Sequence, residues 1–321
     1  MGASAMRFGF YLPTRGPLAN RRGLKALLET GEEAGFSSVM VADHIVVPTS
    51  IESAYPYTVG GNFVSKGECL EQLTLMTFVA AATEKLRIVS SVMIVPHRNP
   101  VHCAKAIATA DLLSEGRVTV GVGVGWMAEE FAALDAADFA KRGRVTDEYI
   151  TIWKKLWTGD AVSYEGDFYR FQELYCQPPP VQKPHPPIWI GGHSNPALRR
   201  VARLGDGWHP VGATAASPLP PSEMAVKLAF LRELTEAEGR DFDALTISYK
   251  APIYDGGKPP HGEERRLFTG GTTAAIDDIA AMAEVGVDEL VFDFRGETIA
   301  DSLTAMQSFT ENVMENVGKQ S

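Results

Sequence analysis

Asp43 and His44 place an acid and an imidazole side by side at the end of an apolar segment. Residues 39–42 are apolar, which predicts a buried strand, and a second apolar run at 45–47 follows the pair. An imidazole at a strand end could exchange protons near neutral pH. The pair could equally be a satisfied polar turn that Asp43 caps.

A glycine-rich stretch, GVGVGWMAEEF at 121–131, follows a predicted strand and opens a predicted helix. Its glycines alternate along the chain: Gly121, Gly123 and Gly125. The stretch resembles a dinucleotide-binding fingerprint but fails it, because Trp126 occupies the position of the third required glycine. Glycines at a strand end still allow a flat ligand or a backbone to approach closely. We expect Glu129 and Glu130 to favour the positive end of the helix, with a catalytic role as the lesser alternative.

A second candidate binding site lies in the stretch 186–208, where a predicted strand ends in two glycines and a helix begins at Asn195. Free backbone N–H groups and a hydroxyl would converge there, which favours a phosphate group. The residues concerned are Gly191, Gly192, His193 and Ser194. An ordinary strand-to-helix turn with Asn195 as the N-cap explains the same residues without a ligand.

Two serines and a basic pair mark the end of another predicted strand, in VSSVMIVPHRNP at 89–100. Ser90 and Ser91 could simply bond to the backbone, and His97 and Arg98 follow them. Together with the glycines of the next strand, however, these hydroxyls would form a surface suited to a planar cofactor across a barrel mouth.

Eight short apolar runs alternate with segments of helical spacing along the chain. The predicted strands are 7–12, 37–42, 86–95, 117–122, 186–191, 206–211, 245–253 and 289–294. The predicted helices are 22–35, 70–85, 101–116, 147–159, 195–205, 222–239, 273–286 and 300–317. Eight strands, each followed by a helix, predict an α/β fold of the (β/α)8 TIM barrel class, as one domain over residues 1–321. An open doubly wound sheet is the alternative, although it usually has fewer strands.

Two long segments, 44–69 and 160–185, exceed what a minimal barrel needs and are rich in aromatic residues, glycine or proline. Such loops are uncommon in compact domains unless they have a function. The first leaves the C-terminal end of the second strand, where barrel active sites are built, so His44 lies where chemistry is expected. We expect both segments to line the substrate pocket. The candidate wall residues are Tyr55, Tyr57, Phe63, Trp126 and Trp208.

Composition narrows the classes of function. The 321 residues carry a net charge of -10, which argues against nucleic acid or an anionic membrane surface as a partner. Three cysteines without a short spacing suggest neither a disulfide framework nor a metal site, and without a signal-peptide pattern they indicate a reduced, cytoplasmic setting. The sequence has no motif of zinc proteases, serine hydrolases or P-loop kinases. We therefore expect a bound organic cofactor to carry the chemistry.

Five segments in a fixed order resemble the bacterial luciferase-like monooxygenase superfamily. They are MRFGFYLP (6–13), EEAGFSSVMVADH (32–44), ATEKLRIVSSVMIVPHRNPV (82–101), ATADLLSEGRVTVGVGVGWMAEEFAAL (108–134) and PPIWIGGHSNPALRRVARLGDGWHP (186–210). The last two are most similar to the group described as coenzyme F420-dependent oxidoreductases. The resemblance covers nearly the whole chain and implies a (β/α)8 barrel that binds reduced FMN or the deazaflavin coenzyme F420.

The resemblance also implies roles for matching positions. His44 would face the redox-active ring as the catalytic residue, with Asp43 near the cofactor. Ser91 and Val92 match a place where F420-dependent relatives have a non-prolyl cis peptide behind the ring. The other implied cofactor-binding positions are Gly123, Gly125, Trp126, Gly191, Gly192, His193 and Ser194. Trp126 stands where F420-dependent sugar phosphate dehydrogenases have a glutamate that acts as an acid, which argues against sugar phosphate oxidation.

The resulting prediction is a cytoplasmic oxidoreductase that uses F420 to transfer hydride to or from a small, apolar organic substrate, with His44 as acid or base. One alternative is a monooxygenase that uses reduced FMN and oxygen, and a second is a non-catalytic flavin-binding protein. A separate flavin or F420 reductase would be a partner, and the resemblance implies a homodimer. No metal ion, nucleic acid or membrane partner is expected.

Overall fold

Eight parallel strands close into a barrel. The computed structural model describes residues 5–63, 67–252, 254 and 265–317. The strands in chain order are β1 (Arg7–Leu12), β2 (Ser38–Val41), β3 (Arg87–Ser90), β4 (Met93–Ile94), β5 (Val118–Gly123), β6 (Val162–Glu165), β7 (Arg170–Leu174), β8 (Ile188–Gly191), β9 (Gly207–His209), β10 (Thr246–Lys250) and β11 (Glu289–Phe292). The ring runs β1–β2–β3–β5–β8–β9–β10–β11 and returns to β1, which pairs with both β2 and β11. The predicted TIM barrel is confirmed, because an open doubly wound sheet would not return to its first strand.

Helices connect the strands around the outside of the barrel. The α-helices of the described residues are α1 (Arg21–Glu33), α2 (Gln72–Ala82), α3 (Pro100–Leu113), α4 (Ala128–Ala133), α5 (Arg142–Leu156), α6 (Asn195–Leu204), α7 (Pro221–Ala237), α8 (Thr272–Glu284) and α9 (Ile299–Phe309). Local caps explain several starts; the side chain of Asn99 accepts hydrogen bonds from the N–H groups of Val101 and His102, and Pro100 occupies the first helical position. The predicted final helix, 300–317, ends earlier as an α-helix and continues as a π-helical turn at Thr310–Met314.

The third barrel strand is interrupted where the two serines lie. The predicted strand 86–95 consists of β3 and β4, separated by Ser91 and Val92. The peptide bond between these two residues is cis, as the resemblance implied. Only β3 pairs with β2, whereas both pieces pair with β5. The break therefore turns the chain at the edge of the barrel mouth.

The second long segment does not enter the barrel mouth. Half of it, residues 162–174, forms the antiparallel hairpin β6–β7, which was predicted as part of a loop. The carboxylate of Glu148 on α5 accepts hydrogen bonds from the N–H groups of Asp167, Phe168 and Tyr169, at 2.9, 3.1 and 2.8 Å. These bonds hold the hairpin turn against α5, on the outside of the barrel. The prediction that 160–185 lines the pocket is wrong for this reason.

Apolar side chains fill the inside of the barrel. A cluster separate from the larger core between strands and helices contains Tyr11, Met40, Val89, Trp189 and Val291. Because this cluster closes the middle of the barrel, a ligand site has to form above it, where the carboxyl ends of the strands meet. Within the described residues, none of the helices combines the length and the apolar character needed to cross a membrane.

Candidate active site

A cavity of about 500 Å³ lies at the C-terminal ends of the barrel strands. This volume is within the range of small-molecule and cofactor sites. Nine residues singled out in the sequence line it: Asp43, His44, Ser91, Val92, Gly123, Gly125, Trp126, Gly191 and Gly192. They come from four barrel strands, so the barrel brings together positions that are far apart in the chain.

His44 is held by a buried carboxylate. Its Nδ1 lies 2.7 Å from Oε2 of Glu130, whose side chain is fully buried on the first turn of α4. An ionised carboxylate can only accept, so Nδ1 carries the proton of this contact. Nε2 is then the ring nitrogen that remains for a ligand in the cavity.

The surroundings of Glu130 keep it ionised. Burial opposes its ionisation, but hydrogen bonds from His44 and from the N–H groups of Ile45 and Val46 lower the pKa of this carboxyl below its ordinary value. Nearby, burial lowers the pKa of His97 to about 4, so this second imidazole is neutral at pH 7. His97 Nδ1 is 3.8 Å from Glu130, too far for a hydrogen bond. The charged carboxylate therefore acts on His44.

Asp43 has a structural role behind His44. Both of its oxygens bind the guanidinium of Arg98, at 2.7 and 2.8 Å, and one also accepts the N–H of Ile94 at 2.8 Å. Arg98 makes a further bond of 2.8 Å to Glu71. The ion pair is almost wholly buried, so these contacts fix the end of β2 and with it the position of His44.

Val92 and the glycines form a flat wall of the cavity. A Cβ atom at Gly123 would lie 2.7 Å from a methyl group of Val92, and one at Gly191 would lie 3.0 Å from its other methyl group. Gly125 and Gly192 have φ angles of 84° and 81°, which favour glycine. A side chain at Gly123 or Gly191 would therefore displace Val92. One at Gly125 would lie 2.7 Å from Phe131, so the close packing of this wall requires glycine.

Aromatic rings form the opposite, loop side of the cavity. Phe63 lies 5.2 Å from the ring of His44, and Tyr55 and Trp126 lie 5.2 Å from Phe63. Tyr57 also lines the cavity, so four of the five predicted wall residues are in place. The prediction for Trp208 is wrong: its side chain is buried and its Nε1 donates to the carbonyl of Gly192 at 2.7 Å. It supports the wall from behind.

Ser91 belongs to a buried chain of polar side chains that sequence analysis missed. Its hydroxyl contacts the hydroxyl of Tyr11 and lies 2.8 Å from Nε2 of His209. The other nitrogen of His209 lies 3.0 Å from the hydroxyl of Ser248. Burial lowers the pKa of His209 to about 3, so this imidazole is neutral. Side chains from β1, β9 and β10 thus hold Ser91, which the sequence predicted to lie near the cofactor, in place.

The segment after Gly192 lies beyond the lining of the cavity. Ser194, not Asn195, is the N-cap of α6, and its hydroxyl accepts from the N–H of Ala197 at 3.4 Å. The buried Nδ1 of His193 has no hydrogen-bond partner within the described part of the chain. A turn with a cap and an unsatisfied imidazole nitrogen leaves room for a ligand, which keeps the phosphate prediction open.

Residues 6–258 match the family described as luciferase-like monooxygenase. The chain belongs to this family. An uncharacterized protein of Mycobacterium tuberculosis is 32% identical over 314 residues, 97% of this chain and 96% of that protein. An FMNH2-dependent dimethylsulfone monooxygenase of Pseudomonas putida is 38% identical over 141 residues, 43% of this chain and 38% of the relative.

The fold is also that of a solved structure. The F420-dependent tetrahydromethanopterin reductase of Methanopyrus kandleri superposes with a TM-score of 0.73 at 17% identity, over 98% of this chain and all of the other. An identity this low supports the fold alone. Family membership confirms the predicted resemblance and makes this luciferase-like chain an oxidoreductase or monooxygenase.

Proposed function

We propose that this protein uses coenzyme F420 to transfer a hydride to or from a small organic substrate. The placement of His44 carries the proposal. Its imidazole lines the cavity, and Nδ1 is committed to the buried carboxylate of Glu130 at 2.7 Å. That arrangement fixes the ring and leaves Nε2 to exchange a proton with a bound molecule.

The residues present fit a planar ring with a phosphate-bearing tail. The wall made by Val92, Gly123 and Gly191 carries a single side chain, that of Val92 packed against the two glycines, so a planar ring could lie on it. Gly192 leads from this wall to the start of α6, where backbone N–H groups and the helix dipole favour an anion. The unpartnered Nδ1 of His193 would supply one more polar contact.

Bound F420 would carry the hydride, and the protein would handle the proton that accompanies it. In the oxidation of an alcohol, Nε2 of His44 would take the hydroxyl proton, and the Glu130 carboxylate would stabilise the imidazolium. In the reverse direction the same nitrogen would donate. The aromatic side of the cavity, with Phe63 against His44, would exclude water from the reacting atoms.

A monooxygenase that uses reduced FMN is the second candidate. It is favoured by the similarity to the FMNH2-dependent dimethylsulfone monooxygenase, which is 38% identical to this chain over 141 aligned residues. The flat wall would accept either ring, and the imidazolium form of His44, stabilised by Glu130, would then donate a hydrogen bond from Nε2 at the reacting oxygen. A separate flavin reductase would supply the reduced cofactor.

Equilibrium binding of F420 and FMN, each oxidised and reduced, tests the proposal. We expect micromolar or tighter binding of F420 and weak binding of FMN, read from ring fluorescence or absorbance. The reverse preference would favour the monooxygenase. A cofactor that stays bound and unchanged with every reductant and substrate would instead identify a non-catalytic binding protein. For His44, full activity and an unchanged pH profile in His44→Ala would rule out proton transfer.

A further inference from the structure

Part of the cavity wall is cationic, although the chain as a whole is acidic. Arg15, Lys250 and Arg295 line the cavity at the ends of β1, β10 and β11, together with Asp293. We call these four residues the cationic lobe. Nε of Arg295 lies 3.0 and 2.7 Å from the two oxygens of Asp293, so these two residues neutralise each other. Two positive charges remain in the lobe.

Within the described residues, neither of the two remaining cations forms an ion pair. Asp293 acts on Lys250 only from a distance. Glu68, which also lines the cavity, accepts the N–H of Gly16 next to Arg15. Nζ of Lys250 lies 3.9 Å from the ring centroid of Tyr11, and the guanidinium of Arg15 lies 5.1 Å from that of Phe63. Burial lowers the pKa of Lys250 to about 8, which leaves it mostly protonated at pH 7. Both cations are half-buried, and a half-buried cation without an ion pair is costly to the folded protein, which favours a ligand that supplies an anion.

Arg15 lies across the barrel from Gly191, whereas Lys250 on β10 is two strands from Gly191 on β8. In the ring of strands, β1 is four places from β8, which carries Gly191, and β5 with Gly123 adjoins β8. The phosphate of a cofactor that ran from the flat wall to α6 would therefore be directed away from Arg15, and a comparison of FMN with riboflavin tests whether it meets Lys250. Phe63 connects the lobe to the reacting centre, because its ring contacts both Arg15 and His44.

We propose that the cationic lobe binds a carboxylate, or a sulfonate of similar shape, on the substrate, with Lys250 and Arg15 as the recognising residues. The aromatic side of the cavity would hold the apolar body of the same molecule. This specificity rests on the proposed function for the reaction, while the anion site itself can be tested without cofactor.

Calorimetric titration of the whole protein with benzoate and with benzyl alcohol tests the site, because the two probes differ in charge and share the ring. We expect benzoate to bind about tenfold more tightly or better, and Lys250→Met to raise its Kd by about tenfold or more. Arg15→Gln should act in the same direction. Lys154→Met is the matched control, since Lys154 is a half-buried lysine outside the cavity lining that donates to the carbonyl of Leu204.

Three results would overturn the proposal: no binding of benzoate to the wild type, equal binding of both probes, or an unchanged Kd in Lys250→Met and Arg15→Gln. The phosphate of the cofactor is the other anion that could bind the lobe. Binding of FMN and of riboflavin, which differ by this phosphate, distinguishes it from an anion on the substrate. Loss of FMN binding with unchanged riboflavin binding in Lys250→Met would assign the lobe to the cofactor and also overturn the proposal. Failure of both F420 and FMN to bind the wild type, with Lys250-dependent benzoate binding retained, would refute the proposed function but support the anion site.

Discussion

Glu130→Gln should slow turnover by acting through His44. In the wild type, the Glu130 carboxylate accepts from His44 at 2.7 Å and from the N–H groups of Ile45 and Val46 at 2.8 and 3.3 Å. The glutamine oxygen can keep the two backbone contacts, so its NH2 group must face the imidazole. Because an amide NH2 group only donates, Nδ1 becomes the acceptor and the ring proton moves to Nε2.

The expected loss follows from the strength of the hydrogen bond. A bond to a charged group contributes about 1.5–3 kcal/mol, whereas a neutral bond contributes about 0.5–1.5 kcal/mol. The difference of about 1–1.5 kcal/mol corresponds to a fall in kcat of about 5- to 13-fold when Nε2 donates the proton, and the misplaced ring proton lowers kcat further in the direction that needs Nε2 as a base. His44→Ala removes the imidazole itself and should lower kcat by about 10²- to 10⁴-fold.

A double-mutant cycle on kcat provides the assay, with the cofactor spectrum as the signal of turnover. Because Glu130 acts through His44, adding Glu130→Gln to His44→Ala should change kcat by less than about twofold. Nitrogen NMR of labelled histidine should show the shift of the His44 proton from Nδ1 to Nε2. Glu129→Gln is the control, since Glu129 contacts the backbone at 52–53 and should leave kcat unchanged. A full 5- to 13-fold loss in the His44→Ala background would refute the reasoning.

Three further substitutions test the framework of the site. Arg98→Met leaves the buried Asp43 carboxylate without its bidentate partner and should lower the free energy of unfolding by about 3–5 kcal/mol in urea titrations; an unchanged midpoint would contradict the role of the pair. Gly123→Ala places a methyl group 2.7 Å from Val92 and should cost about 1–3 kcal/mol and weaken cofactor binding, with Val92→Ala restoring both in the double variant. Burial lowers the pKa of Lys250 to about 8 in the folded protein, whereas the ordinary pKa of a lysine in an unfolded chain is about 10.4. Between these two pH values the unfolded chain holds a proton on Lys250 that the folded protein has lost. Wild-type stability should therefore gain about 3 kcal/mol from this group between about pH 8 and 10.4, and the gain should be missing in Lys250→Met.

The strands and their order could be predicted because a barrel strand is a short apolar run that is buried on both sides. All four residues of Ser38–Val41, for example, are buried. Since parallel strands end at one face, residues that follow different strands, such as His44 and Gly191, could be expected to meet there. The hairpin β6–β7 was missed because its strands are not continuous apolar runs: half-buried residues such as Val162 and Tyr164 alternate with exposed polar residues.

The partners of the site residues could not be predicted from local patterns. Glu130 follows His44 by 86 residues, and His209 follows Ser91 by 118. Such contacts depend on strand register and on the direction of side chains in the closed barrel, which a local pattern does not contain. The prediction that Glu130 lies at the start of a helix is correct, but the sequence did not show that its carboxylate also binds His44. Lys250 lies within the predicted strand 245–253, at the end of the observed β10, and no motif surrounds it, so its place in the cavity had no signature in the sequence.

The two adjacent carboxylates of α4, those of Glu129 and Glu130, bind the backbone of the first long segment at two separate points. Glu130 holds the backbone at 45–46, and Glu129 accepts the N–H groups at 52–53, at 2.7 and 3.0 Å. The rings that face the substrate space come after the second fastening, within 54–63. Residues 54–63 can therefore be varied independently of α4. In a library randomised at these positions, the cavity would accept substrates of new shapes, and the contact between His44 and Glu130 would keep its geometry.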